Sequence, residues 1–197
     1  RESVGPDFPL MIDCYMSLTV GYTLKLLELI KPYNIKWIEE HLPPDQYDGY
    51  AEVKRRNPTT SLLTCGEHEY TRWGFKLLLD KDCADLLQPD VTWCGGITEA
   101  RRIVALGSAY DVPIVPHGSS IYSYHLQYAF PNLPMSEFIL LAPDGASISP
   151  YFGELFDDEP LPKNGWVNLD PTKPGFGVTL KKNNLRRPYP RDNQRKQ

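Results

Sequence analysis

The sequence predicts an α/β fold in which helices cover a parallel sheet. Six short apolar runs of strand length recur along the 197 residues, at residues 9–13, 35–39, 61–67, 85–90, 113–117 and 137–141. Their near-continuous hydrophobicity is typical of strands that are buried on both faces, as in parallel sheets. Segments with helical spacing separate several of these runs. This alternation indicates repeated βα units, arranged either as an open doubly wound sheet or as a barrel.

Three of the segments between the strands are predicted as crossover helices, at residues 22–31, 49–56 and 97–110. In the last of these, apolar residues recur at helical spacing, namely Ile97, Ala100, Ile103, Val104 and Leu106. Two glycine-containing stretches, at residues 94–96 and 117–120, lie at strand-to-helix turns, where glycine permits a tight turn. Neither stretch matches a nucleotide-binding pattern, so the sequence does not support a nucleotide site.

The composition argues against several classes of protein. With 21 Lys and Arg against 25 Asp and Glu, the net charge is -4, and we expect no nucleic-acid partner. The locally basic stretch at residues 186–196 is interpreted as a solvated end without function. No apolar run could cross a bilayer and no secretory signal is visible, so we expect a cytoplasmic protein without a membrane partner. Four cysteines without a CxxC pair favour free thiols over a zinc site.

Acidic residues close three successive predicted strands. Asp13, Glu39 and Glu67 are separated by 26 and 28 residues, which is about one βα unit each. Because parallel strands of a barrel end at the same face, these carboxylates are expected to meet there. Like charges at one face repel unless a cation compensates them. Hard oxygen ligands favour Mg²⁺, with Mn²⁺ as a possible substitute.

The next two predicted strands end in a carboxylate and an imidazole. Asp90 and His117 would be neighbours, and an Asp bonded to one ring nitrogen makes the other a credible general base or acid. Glu137 could reach the same face and donate a hydrogen bond from a protonated carboxyl. Any single acidic residue at a strand end could instead cap a helix or form a turn. Three in register, followed by an Asp and His pair, favour a site.

These residues resemble the enolase superfamily, in its mandelate racemase subgroup. The motifs that carry the resemblance are Asp13, Trp37-Ile-Glu39-Glu40, Gly66-Glu67, Gln88-Pro-Asp90 and His117-Gly118. Within the subgroup, His41-Leu-Pro-Pro44 after the paired glutamates, together with Gly66-Glu-His68, resembles the branch of sugar-acid dehydratases that acts on L-rhamnonate. The resemblance covers residues 7–188.

The resemblance implies a fold, which is the TIM-type (β/α)7β barrel. Here the barrel is expected to be incomplete, with about six parallel strands and without the first two strands and the N-terminal capping domain. Residues 1–145 would form the partial barrel. Residues 146–197 would pack over the barrel or toward the missing capping domain, and would end in a polar tail.

The resemblance also implies chemistry. Magnesium on Asp13, Glu39 and Glu67 would bind the substrate carboxylate of a sugar acid. His117, oriented by Asp90, would serve removal of the neighbouring proton or loss of the 3-hydroxyl, giving a 2-keto-3-deoxy acid. The further site residues implied are Glu137 as a catalytic group and His68 and Ser119 as substrate contacts. A homo-oligomer is expected from the resemblance.

Two alternatives stay open at this point. Another sugar-acid dehydratase or an epimerase of the same subgroup would share the metal ligands and the dyad. A truncated, non-catalytic fragment would keep the metal-binding carboxylates without turnover.

Overall fold

The sheet of this protein is parallel and four-stranded in the computed structural model, which describes residues 1–182. The strands follow one another in chain order as β1 (Leu10–Asp13), β2 (Ile35–Glu39), β3 (Leu62–Cys65) and β4 (Leu86–Leu87). Each is hydrogen-bonded in parallel to the next. Parallel neighbours need a crossover connection between them, and helices supply it here. The predicted α/β class with a parallel sheet is confirmed.

In the described part of the chain, five α-helices accompany the sheet: α1 (Val20–Ile30), α2 (Tyr47–Arg56), α3 (Thr71–Asp80), α4 (Ile97–Ala109) and α5 (Ile121–Ala129). A short 3₁₀ turn, Lys31–Tyr33, follows α1. The sequence predicted α1, α2 and α4 to within two residues at each end. It did not predict α3, although the buried residues Phe75, Leu78 and Leu79 have helical spacing. It also missed α5, whose apolar residues are interspersed with Ser and Gln and therefore give a weak periodic signal.

The core lies between the sheet and the helices. Alternate strand residues contribute to it, and Ile38, Leu63 and Leu87 are at most 1% exposed. The helices add further side chains that are fully buried, namely Leu27, Val53, Phe75, Ile103 and Val104. Successive side chains of a strand point to opposite faces, so Trp37, Glu39 and Thr64 lie on the other face of the sheet. That face carries the polar residues of the site.

Two of the six predicted strands are not regular strands in the structure. Residues 113–117 join the sheet only through isolated bridges from Ile114 to Leu87 and from His117 to Asp90. Val115 donates to the carbonyl of Leu87 and His117 to that of Pro89, but Pro89 has no amide hydrogen for the bond between them, so the ladder is interrupted there. Residues 137–141 form no strand. A strand requires a hydrogen-bonded neighbour, and within residues 1–182 this segment pairs with none.

The chain divides into two compact units, Arg1–Glu137 and Phe138–Gln197. The division falls at Glu137, whereas the sequence suggested a boundary at residue 145. In the described part of the second unit, β5 (Phe156–Asp157) and β6 (Thr179–Leu180) form an antiparallel pair. The packing predicted for residues 146–197 stays a prediction. The basic stretch at 186–196 lies outside the described residues.

Within residues 1–182, no helix is both long and apolar enough to cross a membrane.

Candidate active site

The carboxyl ends of the parallel strands form one rim, which carries most of the predicted site residues. Asp13 and Glu39 are register partners at the ends of β1 and β2. Glu67 lies two residues beyond the end of β3. Asp90 and His117 are partners in an isolated parallel bridge. The expectation that these residues share one face of the sheet agrees with their positions.

Glu39 is a buried carboxyl group with two neighbouring donors. It is 5% exposed, and the indole nitrogen of Trp37 donates to its Oε2 over 3.2 Å. Burial raises the pKa of Glu39 to about 7; a hydrogen bond from Gln88 opposes the rise, while the charge of Glu137 adds to it. Asp13 and Glu67 also raise this pKa. A positive charge placed beside Glu39 would therefore be favoured.

Glu67 and Asp13 complete the predicted set of metal ligands. Glu67 is 8% exposed, and burial raises its pKa, although the nearby His117 opposes the rise. The charges of Glu40 and Asp13 raise the pKa of Glu67 further. Asp13 is exposed, and its Oδ1 accepts a hydrogen bond of 2.8 Å from the amide of Tyr15. The charge of Asp13 thus raises the pKa of both Glu39 and Glu67, and the charge of Glu67 raises the pKa of Glu39.

The convergence of these carboxylates is only partial. Within residues 1–182, no three His, Cys, Asp or Glu side chains lie close enough together to hold a metal ion. Each of the three carboxylates instead contacts a neighbouring group: the amide of Tyr15, the indole of Trp37 and the ring of His117. In chemical type and in position on the rim, the three nevertheless fit a hard divalent cation, since all the donors are oxygens and their mutual repulsion favours positive charge.

Asp90 and His117 form a hydrogen-bonded pair. Asp90 Oδ2 lies 2.8 Å from His117 Nδ1. Its Oδ1 accepts from the amide and hydroxyl of Thr92, at 2.7 and 2.6 Å, and from the amide of Trp93 at 2.9 Å. Burial acts to raise the pKa of Asp90, but the hydrogen bonds from His117 and Thr92 outweigh it and lower the pKa to about 2. Asp90 is therefore an anion that orients the imidazole.

His117 Nε2 points toward two further carboxyl groups. It lies 3.3 Å from Glu67 Oε2 and 4.0 Å from Glu137 Oε2. Burial acts to lower the pKa of His117, but the hydrogen bond to Asp90 and the charges of Glu137 and Glu67 raise it to about 9. Burial also raises the pKa of Glu137, while His117 and the amide of Gly118 oppose this. Gly118 donates to Glu137 Oε2 over 2.6 Å. Glu137 thus stands beside the dyad.

The two predicted substrate contacts differ in accessibility. The side chain of His68 is 19% exposed and lies beside Glu67 on the rim. Ser119 is 1% exposed; its hydroxyl accepts from the amide of Val91 and donates to the carbonyl of His117, each over 3.1 Å. The hydroxyl of Ser119 thus bonds the backbone on both sides. The substrate contacts expected at His68 and Ser119 stay predictions.

Three residues contribute more to the site than the sequence suggested. Trp37, Glu40 and Gln88 stand in the sequence only as parts of motifs. Trp37 donates to Glu39, and the side chain of Gln88 also bonds Glu39. The signal available was the two-residue period of a strand, because Trp37 lies two positions before Glu39 and therefore shares its face. Glu40 is 1% exposed and accepts from the amide of Gly66.

A family model described as enolase C-terminal domain-like matches residues 1–184 of this chain. The chain belongs to the enolase C-terminal domain-like family. Membership in this family confirms the predicted superfamily resemblance and the TIM-barrel-like fold class.

Relatives of this enolase-family chain include curated and structurally characterised proteins. An L-rhamnonate dehydratase from Saccharopolyspora erythraea is 51% identical over 193 residues, which cover 98% of this chain and 49% of that protein. The crystal structure of L-rhamnonate dehydratase from Gibberella zeae superposes with a TM-score of 0.88 at 52% identity, over 93% of this chain and 47% of that chain.

A second structure, of rhamnonate dehydratase from Gibberella zeae complexed with Mg, has a TM-score of 0.88 at 51% identity, over 92% of this chain and 45% of that one. The chain spans about half the length of the relatives it matches.

Proposed function

We propose that this chain carries the catalytic carboxylates and the acid-base dyad of a magnesium-dependent sugar-acid dehydratase, with L-rhamnonate as substrate. The observation that carries the proposal is the Asp90–His117 pair. Nε2 of His117, the ring nitrogen that Asp90 does not contact, lies 3.3 Å from the carboxylate of Glu67. An oriented base beside a group of carboxylates suits removal of a proton next to a substrate carboxylate. The dehydratase names of relatives at 51% and 52% identity support the choice of reaction.

Asp13, Glu39 and Glu67 are the residues that would hold Mg²⁺, with Mn²⁺ as a substitute. The burial of Glu39 and Glu67 and the raised pKa of each support this assignment. When bound, the metal supplies electrostatic stabilisation for the negative charge that develops on the substrate carboxylate. The magnesium complex of a relative at 51% identity supports the choice of ion.

The proposed reaction removes water across two neighbouring carbons of the sugar acid. His117 Nε2, the nitrogen that Asp90 does not engage, takes the proton from the carbon next to the carboxylate or gives a proton to the departing 3-hydroxyl. Asp90 holds the imidazole in place through Nδ1. Glu137, beside Nε2, donates or accepts a hydrogen bond as charge develops on the substrate. The enol that remains tautomerises to the 2-keto-3-deoxy acid.

The proposal also gives roles to His68 and Ser119. His68, partly exposed beside Glu67, contacts the substrate. We propose that Ser119 stabilises the loop that carries His117, since its hydroxyl accepts from the amide of Val91 and donates to the carbonyl of His117. A homo-oligomer and a cytoplasmic location are part of the proposal, and they depend on the resemblance and the composition only.

The proposal is tested with the full-length protein and L-rhamnonate in the presence of magnesium. The variant His117→Asn is expected to lower kcat by about 10²- to 10⁴-fold, the usual contribution of a positioned acid or base. Removal of the metal with a chelator is expected to abolish turnover, and added Mg²⁺ is expected to restore it. A panel of other sugar acids separates L-rhamnonate dehydration from a related dehydratase or an epimerase.

Calorimetry with magnesium and L-rhamnonate serves as the control. Magnesium binding without sugar-acid binding would support the non-catalytic alternative. Unaltered turnover after His117→Asn, or turnover that persists without a divalent metal, would refute the proposed mechanism.

A further inference from the structure

Glu40 follows Glu39 directly and closes the end of β2. It is 1% exposed, its amide donates to the carbonyl of Thr64 over 3.1 Å, and its carbonyl accepts from the amide of Met16 over 2.6 Å. Its φ of 42° is in the left-handed region, which is unusual for a residue other than glycine. The strand geometry therefore ends at this residue, and the side chain of Glu40 reaches the loop that follows β3.

The carboxylate of Glu40 contacts that loop on both sides of Glu67. Its Oε1 accepts a hydrogen bond of 2.9 Å from the amide of Gly66, and its Oε2 lies 3.2 Å from Nδ1 of His68. A carboxylate only accepts hydrogen bonds, so Nδ1 of His68 donates to Glu40. The same nitrogen lies 3.3 Å from Glu67 Oε1.

The ring of His68 is also held by two aromatic side chains. Tyr15 and Trp93 each meet it in a T-shaped contact, with ring centroids 5.4 and 5.7 Å away. The indole nitrogen of Trp93 donates to the backbone carbonyl of His68 over 3.1 Å. Contacts from three different loops therefore restrict the ring. Glu40 and Glu67 are the residues among them that contact its Nδ1.

We propose that Glu40 is a positioning residue that fixes the orientation of the His68 ring, so that Nε2 is presented to a substrate hydroxyl. The inference rests on the proposed function, because it takes a polyhydroxy acid as the group beside His68. Each hydroxyl of such a substrate can form a hydrogen bond, and a ring nitrogen held in one orientation selects one of them. Glu40 itself does not contact the substrate; it acts through His68.

The variant Glu40→Gln tests this role, because the amide keeps the shape of the side chain but can donate to Nδ1. In the full-length protein, the ¹⁵N resonances of the His68 ring, assigned with His68→Gln, are expected to shift. With L-rhamnonate, kcat/KM is expected to fall by about 10- to 100-fold, as is usual for groups that orient site residues. KM is expected to rise more than kcat falls, since a binding contact is weakened.

A double-mutant cycle shows whether Glu40 acts through His68. In the His68→Gln background, Glu40→Gln is expected to change kcat/KM by less than about twofold, because the shared interaction is already lost. Glu99→Gln is the matched control: Glu99 is also buried and accepts from a backbone amide and a side chain, in this case those of Arg72. That control is expected to leave the ring spectra and KM unchanged.

The outcomes separate this inference from the proposed function. The ring spectra need no substrate, so a wild-type protein inactive on L-rhamnonate would refute the dehydratase proposal while the spectra still report on Glu40. Unchanged spectra in Glu40→Gln, or an equal loss of kcat/KM in both backgrounds, would overturn the positioning role. If Glu40→Gln does not fold, Glu40→Asp, which retracts the carboxylate, is measured in the same way and is expected to show the same losses.

Discussion

Two carboxyl groups of this protein show how the surroundings of one residue decide its charge. Asp90 and Glu39 are both buried, at 7% and 5% exposure. Hydrogen bonds from His117 and Thr92 overcome the effect of burial on Asp90 and lower its pKa to about 2. Burial raises the pKa of Glu39 to about 7, and the charges of Glu137, Asp13 and Glu67 add to the rise. The anionic Asp90 is therefore suited to orient the imidazole of His117, and Glu39 is suited to bind a cation.

Removal of the charge of Asp90 is expected to impair catalysis more than removal of one of its donors. In Asp90→Asn, the amide cannot both accept from the backbone and fix the ring of His117, and we expect kcat to fall by about 10²-fold or more. The control Thr92→Val removes one of three donors to Oδ1 and is expected to lower kcat by less than about tenfold, since one hydrogen bond contributes about 1 kcal/mol. Equal losses in both variants would contradict the assignment of Asp90.

At the scale of the elements, the turns between strands and helices determine where the site side chains stand. Gly66 precedes Glu67 and has a φ of 126°, which L side chains rarely adopt. A Cβ at this position would lie 2.9 Å from the ring of Phe75 and 3.3 Å from the amide of Gln88. The loop after β3 is thereby pressed against α3, and this close approach sets the position of Glu67.

The variant Gly66→Ala is expected to destabilise the protein through both backbone strain and the contact with Phe75. Strain of about 1–3 kcal/mol and overpacking of about 1–3 kcal/mol are the usual costs. Gly96→Ala is the control, because Gly96 also has a positive φ but no atom within 4 Å of its Cβ position. Chemical denaturation of the full-length variants measures the difference. A loss in Gly96→Ala as large as that in Gly66→Ala would contradict the packing argument.

Lys54 connects α2 to the loop before β4. Its Nζ lies 2.5 Å from Asp82 Oδ1 and 3.2 Å from Asp85 Oδ1, and it donates to the carbonyl of Ala84 over 2.8 Å. Burial acts to lower the pKa of Lys54, but Asp82 and Asp85 outweigh it and raise the pKa above the usual value. The ion pair therefore stabilises the fold fully below about pH 10 and loses its effect as the pH rises through the folded pKa.

We expect Lys54→Met to lower the free energy of unfolding at neutral pH, with a smaller difference from the wild type in strongly alkaline solution. Urea unfolding of both proteins at pH values on either side of the lysine pKa measures this difference. Lys25→Met, on an exposed position of α1, is the control and is expected to change stability little. A difference for Lys54→Met that stays constant with pH would contradict the electrostatic origin.

For the whole molecule, the decisive feature is that every predicted site residue belongs to the unit Arg1–Glu137. The parallel sheet and its helices are in the same unit. After Glu137, large apolar side chains are exposed: Leu140, Leu141 and Ile148 are 49%, 52% and 49% exposed. Exposed loops between compact units are preferred sites of proteolysis.

A broad-specificity protease is therefore expected to cut first between Phe138 and Ile148. The expected early product ends within this segment and retains residues 1–137, because the sheet is protected by its hydrogen bonds and core. Mass spectrometry of a limited digestion identifies the cleavage sites. An earliest cut within β1 to β4 or their connecting helices would contradict the proposed division of the chain.

Much of the fold and the site could be predicted from the sequence, for reasons visible at particular residues. The ends of β1 and β2 at Asp13 and Glu39 were predicted because an apolar run stops at a carboxylate in each case. The pairing of Asp90 with His117 was predicted because neighbouring strands end there. The break in the pairing of the fifth segment was not predicted, since the effect of Pro89, which lacks an amide hydrogen, depends on the backbone group that it faces across the sheet.

The sequence by itself determined the order of strands and helices, the acidic strand ends and the family, because hydrophobic period and residue type are local properties of the chain. Only the tertiary structure decided which partners the polar side chains take. Ser119 bonds the backbone, Glu40 reaches across to Gly66 and His68, and the three rim carboxylates do not close on one point. These partners come from distant parts of the chain, and a hydrogen bond depends on distances that spacing along one strand does not define.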